Sequence, residues 1–466
     1  MHAISRRSLL ASGLAGATAA ALPAAAQGRP PFVRSDIGRL GRVLVHSLLP
    51  GEAPFDRLSD GLLPNVSFDQ DAVSSQQQGL MQLLRKSGAT PIEVRDALAT
   101  AIEATRPSGL FELWLRTSFP RLAADPARVT ADTLLGRDPA THFRLDPDGN
   151  QLHLVDDTSS TQWTRDSAFM TPNGLVICRS ASSRRRRENQ LLRFVYRHSP
   201  LLRDFPIIFD AVEEGLVLEG GDAQLVDSRT LYLGVGNRTD PRVAPVLARR
   251  LNLDVLAVQT VKTDFIAPDR PGASVWTEPA GELRILLLHL DTFFTHVGPD
   301  HVLAVPYLLE AAHAEDNPLA RFIRGARAQS YLEEKAAEAG LAHLKAFGKV
   351  TLFRAGTGAR EELGDTKLID HVRKTRRARI TWVGGPRPQA TPDAYRHFMA
   401  VTYPELRRQA ANVVQAQPGR VIAYAGNPAT RAALEADGVG VDTFEARELW
   451  ARHGGPHCLT QPLERS

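Results

Sequence analysis

Leu216-Val217-Leu218-Glu219-Gly220-Gly221-Asp222-Ala223-Gln224-Leu225-Val226, then Asp227-Ser228-Arg229, then Thr230-Leu231-Tyr232-Leu233-Gly234: this stretch decides the fold. Two apolar runs flank a three-residue polar turn, and a helical pattern opens near Pro241. Strand, turn, strand and helix follow one another. Short apolar strands recur at Leu175–Cys178, His301–Val305 and Arg420–Tyr424. Each runs through a polar or Pro-bearing loop into a helical pattern, starting near Arg186, Pro306 and Pro428. Repetition of such units predicts an α/β architecture of similar modules. Periodicity leaves open whether the modules form one open sheet or close around an axis.

Moving outward, Arg42-Val43-Leu44-Val45-His46 reads as a strand, and Leu80, Leu83 and Leu84 as a helix ending at Gly88. From Pro91 to about residue 138 the pattern is helical. Pro91 suits a first turn, and Val94, Leu98 and Ile102 give an i, i+4, i+8 stripe. Ser108 is the expected cap for the helical run 110–115, and Asp146-Pro147-Asp148-Gly149-Asn150 is a turn. Phe322–Leu344 reads as one long amphipathic helix, Val350–Phe353 as a strand and Gly384–Pro388 as a loop. Ile285-Leu286-Leu287-Leu288 reads as a strand leaving the core at His289.

Of 466 residues 43% are hydrophobic and the formal net charge is only +4, so a large buried core is affordable and a nucleic-acid surface is not indicated. The run Arg184–Arg187 reads as a solvated helix start. Ser5-Arg6-Arg7-Ser8-Leu9-Leu10, a weakly apolar stretch and Ala24-Ala25-Ala26 form a twin-arginine signal at 1–26, cleaved near Ala26. The apolar stretch is too short for a stable membrane span, and the expected compartment is the periplasm. That compartment permits disulfides, yet the chain has two cysteines. Cys178 lies in an apolar run and reads as a small buried hydrophobe. Cys458 stands among glycines beside His457, where a reactive thiol is the better reading; a bridge between the two is the alternative.

Four segments concentrate chemistry: Trp163-Thr164-Arg165-Asp166, Leu218-Glu219-Gly220-Gly221-Asp222, His289-Leu290-Asp291-Thr292 and Gly454-Gly455-Pro456-His457-Cys458. They offer a thiol, an imidazole and several carboxylates. A thiolate nucleophile with a His proton carrier is a known means of covalent catalysis, and acidic partners point to a cationic substrate. The His residues show no metal-ligand spacing, so neither metal nor cofactor is expected.

In their order and flanking residues the four segments resemble the arginine deiminase family of guanidino-modifying hydrolases, over most of 36–310 and 412–465. The resemblance implies an α/β propeller of five ββαβ blades with an inserted helical domain. The parts are then 36–90 for the first piece of the propeller, 91–145 for the helical insertion and 150–466 for the remainder. It implies Cys458 as nucleophile, His289 as proton carrier, Asp166 and Asp291 as guanidinium clamp, and Glu219 as the group orienting His289. His457 receives no proton-transfer role. Arg186, two residues before Glu188, and Arg238 are the implied carboxylate binders. The chain departs from the family at Ser159 and Ser160, where Pro-Asn is usual, and at His453 (beside Arg452), where Arg is usual. L-arginine is the substrate the resemblance implies, with export machinery the only other partner and homo-oligomerisation left open. Other guanidino compounds such as a methylated arginine, amidino transfer, and a non-catalytic binding protein are the alternatives.

Overall fold

A computed structural model describes residues 32–48, 70–136, 142–145, 152–155, 159–182, 185–202, 204–260, 286–389, 392–451 and 453–466. The twin-arginine segment and the Asp146–Asn150 turn lie outside the described residues, although strands His142–Leu145 and Leu152–Val155 pair antiparallel around the latter. Residues 32–466 make up one compact unit of mixed α/β structure.

Five small sheets share one design. In each, an inner strand pairs antiparallel with a second strand, and the second pairs parallel with a third. The triplets are Ala168–Thr171, Gly174–Ile177 and Ile207–Asp210; Ala223–Asp227, Thr230–Val235 and Asp254–Gln259; Phe294–Gly298, His301–Ala304 and Arg379–Trp382; and Val414–Gln417, Arg420–Tyr424 and Gly440–Phe444. The fifth joins the two ends of the described chain: Gln461–Pro462 is the inner strand, against Arg42–Val45 and Thr90–Glu93.

Local chemistry makes the hairpins. Asp227 Oδ1 accepts the Arg229 amide at 2.9 Å, and Pro418-Gly419, with Gly419 at φ 72°, suits a turn that needs Pro and then a left-handed residue. Parallel second and third strands require a crossover, supplied by helices Gln70–Lys86, Arg186–His198, Val243–Leu251 and Pro428–Ala436. The second strand Gly174–Ile177 is buried along its whole length, as expected for a strand with a neighbour on each edge and both faces covered.

Several expectations are corrected. Pro91 lies in the strand Thr90–Glu93, parallel to Arg42–Val45, and the helix begins at Val94, so the helical segment is Val94–Thr105, Leu110–Ser118 and Ala131–Leu135. Ser108 does not cap the helix from Leu110: Gly109, at φ 72°, takes the capping place, and the Ser108 hydroxyl bonds Thr105 O. Helix does not start at Pro306; Tyr307 takes φ 73°, and helix resumes at Pro318. The Phe322–Leu344 stretch is two helices, Pro318–Ala328 and Glu334–Ala346, because Ser330 at φ 59° breaks the ladder. Leu286 is helical and Leu287 and Leu288 are turn and bend, rather than strand. Arg185 and Arg187 are buried, not solvated: Arg187 reaches Leu134 O and stacks over Phe119, tying the crossover helix to the helical segment. Both cysteines are free.

The crossover of the third triplet, from His301–Ala304 to Arg379–Trp382, is long, and it does more than connect. Its strands Lys349–Phe353 and Arg360–Lys367 add onto Asp254–Gln259 of the neighbouring sheet. The segment 316–378 thus staples two sheets together.

Candidate active site

Turns leading into the inner strands carry every group of the site. Short 3₁₀ turns Thr164–Ser167, Gly220–Asp222 and Leu290–Thr292 precede Ala168, Ala223 and Phe294. Asn412 precedes the fourth inner strand and Cys458 the fifth. These turns are linked in a circle. Gly220 has no room for a Cβ against Arg165 O, and a Cβ on Gly221 would stand 2.6 Å from His289 Nδ1 and 2.9 Å from Asp166 Oδ1. Asp222 Oδ1 accepts the Leu290 amide at 3.0 Å; Asn412 Nδ2 donates to Asp291 O at 3.1 Å. Asn412 Oδ1 accepts the Cys458 amide at 3.0 Å, and the Arg165 amide reaches Cys458 O at 3.2 Å, closing the ring. Only glycine fits at 220 and 221, which is why Gly-Gly follows Glu219.

The structure brings Cys458, His289, Glu219, Asp166 and Asp291 together, all buried. Cys458 Sγ lies 3.5 Å from Asp291 Oδ2 and receives a bond from Asn412 Nδ2 at 3.2 Å. Burial, followed by the carboxylates of Asp291 and Asp166, pushes the thiol well above its ordinary range, against the pull of the Gly455 and Asn412 hydrogen bonds. At neutral pH the group is therefore a thiol, and a cation beside it favours the thiolate. Gly454 and Gly455 let the nucleophile loop in: a Cβ on Gly454 would collide with the Trp163 ring, and one on Gly455 would lie 2.6 Å from Asn412.

His289 Nε2 shares a 2.7 Å hydrogen bond with Glu219 Oε2, leaving Nδ1 facing Asp166 Oδ1 at 3.6 Å. Burial opposes charge on this ring, but Asp166, Glu219 and Asp222 outweigh it and raise its pKa to about 9. His289 thus carries a proton at neutral pH. Glu219 is itself saturated: Oε1 accepts from Ser180 Oγ (2.5 Å) and the Ala181 amide (2.9 Å), Oε2 from Arg238 Nε (2.8 Å) and His289. Burial works against its charge, yet Arg238, His289 and Arg185 hold its pKa well below the ordinary carboxylate value. Burial, with a smaller push from Glu219, lifts Asp222 to about 7 against the pull of His289, the Thr239 hydroxyl and the Leu290 amide.

Arg185 enters the site. Its guanidinium grips Glu188 with two bonds and gives Nη1 to Asp166 Oδ2 at 2.6 Å. The Arg186 side chain and Arg452 lie outside the described residues. His453 ends the turn before the nucleophile loop at φ 62°, half-buried. His457, given no part by the sequence reading, is also a member: its Nδ1 bonds Asp291 Oδ2 at 2.7 Å. Burial and the nearby Arg165 lower its pKa, so it is the neutral ring donating to an ionised Asp291. Asn412 was missed as well. The available signal was positional: each other unit places its reactive group just before its inner strand.

Asp166, Glu219 and His289 could between them supply three metal ligands, with one atom each within 4.8 Å of one another. The donor set argues otherwise, because Arg185 and Arg238 already place cations on two of these carboxylates. Asp166 Oδ1 and Asp291 Oδ1, by contrast, are buried and accept no hydrogen bond among the described residues.

The model of the family described as arginine deiminase matches residues 127–347 and 400–465. Similar chains include the putative arginine deiminase of Mycoplasma pneumoniae, 25% identical over 93% of this chain and 98% of that one. The arginine deiminase of Rhodococcus erythropolis is 26% identical over 94% of this chain and 98% of its own. Among solved structures, unliganded AgrE shares 14% identity at TM-score 0.47, with 92% of this chain and 40% of AgrE covered.

Proposed function

The chain belongs to the arginine deiminase family and is a guanidino-group hydrolase; on that premise we propose that it converts L-arginine and water to L-citrulline and ammonia, with Cys458 as nucleophile. The observation that carries the site assignment is the pair of buried carboxylate oxygens that accept no hydrogen bond among the described residues, Asp166 Oδ1 and Asp291 Oδ1, one 3.6 Å from the imidazole and the other on the carboxylate touching the thiol. Buried acceptors left unpaired call for donors. A guanidinium supplies planar N–H donors and positive charge together, matching both the geometry and the deficit.

Binding of the cation favours the thiolate, so the Cys458 proton passes to bulk solvent as substrate enters. Sγ then bonds to the guanidinium carbon while protonated His289 gives its Nδ1 proton to the departing nitrogen. The C–N bond breaks, ammonia leaves, and a thiouronium remains on Cys458. Water, deprotonated by the now neutral His289, bonds to the same carbon, the C–S bond breaks to regenerate the thiolate, and the product's oxygen gives its remaining proton to the released ammonia as citrulline leaves. Glu219 keeps the ring oriented throughout. The scheme uses no cofactor or metal.

At the amino-acid end, Arg238, Arg186, Arg452 and His453 are the proposed carboxylate contacts. The ring of contacts between the five inner-strand turns supports closure of the five ββαβ units into a propeller around the site. The twin-arginine segment supports export to the periplasm, which replacement of Arg6 and Arg7 by Lys tests: precursor should accumulate in the cytoplasm, and undiminished export would refute the address. The activity itself is tested by ammonia release from the purified mature protein against arginine, agmatine and methylated arginine. Turnover fastest on arginine supports the reading; turnover of none of them overturns it.

A further inference from the structure

We infer that Asn412 is a positioning residue for the nucleophile, and that its side-chain amide is the donor that makes the Cys458 thiolate attainable. The inference rests on Cys458 being the nucleophile.

Asn412 is fully buried and both of its amide atoms are engaged in the site. Oδ1 accepts the Cys458 amide at 3.0 Å, fixing the backbone of the nucleophile. Nδ2 donates to Cys458 Sγ at 3.2 Å and to Asp291 O at 3.1 Å, so one side chain sets the distance between thiol and clamp. Its own carbonyl takes the His457 amide at 3.3 Å, and its Cβ closes off the space above Gly455. Fully buried and tied at each polar atom, it cannot swing away without leaving donors unsatisfied.

Charge explains why such a donor is needed. Two carboxylates, Asp291 and Asp166, face the sulfur and oppose its ionisation, while its described neighbours include no cationic side chain in contact with Sγ. During attack and again when the C–S bond breaks, negative charge sits on or leaves sulfur inside a water-poor site. A fixed N–H aimed at that atom acts like the donors of an oxyanion hole, whose loss lowers kcat by about 10²–10³-fold. Among the turns before the inner strands, that before Val414 is the one the sequence reading left without a task, and this is its task.

The test uses purified mature enzyme with Asn412→Asp and Asn412→Ala. Asn412→Asp keeps the shape and the acceptor for the Cys458 amide and removes the donor, so it preserves the packing. Asn412→Ala removes the donor without adding charge. The rate of iodoacetamide alkylation at Cys458, read by peptide mass spectrometry across pH 6–10 without substrate, reports the thiol directly. Both variants should move the alkylation profile to higher pH by about one unit or more, and lower kcat by ~10²-fold or more with KM changed less than about threefold. A purely structural Asn412 would lower activity with the alkylation profile unmoved, which overturns the inference, as does kcat within about threefold of wild type. Cys458→Ala run alongside separates the failures: if it retains turnover, the nucleophile assignment falls first.

Discussion

Two sets of loops stand at one end of the sheets and are built differently. Turns into the inner strands hold Asp166, Glu219, His289, Asp291, Asn412 and Cys458, all buried and locked to one another through glycines with no room for a Cβ. The loops that leave the second strands, with the turn at His453, hold Ser180, Arg185, Arg238 and His453. Arg238 and His453 keep some exposure. The reacting end is therefore set by backbone packing, which a substitution cannot adjust gradually. The proposed function puts the amino-acid end of the substrate against side chains reaching from these loops, His453 among them, and so assigns specificity to the edge of the packed turns.

The contrast is broken first at the inner turns. Cys458→Ala should reduce turnover by on the order of 10⁴-fold or more while arginine still binds, and Cys178→Ser should leave kcat within a few-fold, measured by ammonia release. Comparable losses for both would erase the distinction between a reactive and a packing thiol. Next in size, Gly221→Ala should lower kcat by roughly 10²-fold, because the new methyl would displace His289 from its place beside Asp166. An active Gly221→Ala enzyme would mean that the turns are not locked as described.

A third test uses pH. The folded-state pKa of His289 is raised to about 9 from the ordinary imidazole value of 6.5. Its contribution is full below about 6.5 and is lost as pH rises through about 9; a shift of this size is worth ~3 kcal/mol. Denaturant unfolding of wild type should therefore weaken between pH 6.5 and 9.5 more steeply than that of His289→Gln. Equal slopes would show that the ring is not held protonated.

The smallest effect belongs to the outer loops. A carboxylate-bearing substrate needs fixed cationic donors, and His453 is at best a conditional one near neutral pH. His453→Arg should raise kcat/KM for arginine over agmatine by ~1–2 kcal/mol, the range for a charged hydrogen bond. An equal change for both substrates would place His453 away from the carboxylate.

How much of this was legible in the sequence follows the same division. Asp, His and Gly-Gly at the inner turns interrupt apolar runs and mark both fold and chemistry. The strand Arg420–Tyr424 is found at the expected residues, and four segments far apart in sequence do converge. Arg185 was passed over because a run of four arginines gives no local reason to single it out; burial against Glu188 and Asp166 does so. Asn412 and His457 were passed over because amides and an extra imidazole are common in turns, and only their partners across the ring give them meaning. The strand expected before His289 failed because an apolar run alone does not distinguish a strand from a buried turn.

The central claim is that a substrate carbon becomes bonded to Cys458 between two carboxylates waiting for a guanidinium. Rapid acid quench of wild-type enzyme turning over arginine, followed by peptide mass spectrometry, tests it most directly. The account predicts an adduct on the Cys458 peptide with the mass of arginine less ammonia, absent in Cys458→Ala. Steady turnover with no adduct, or an adduct on Cys178, would contradict it.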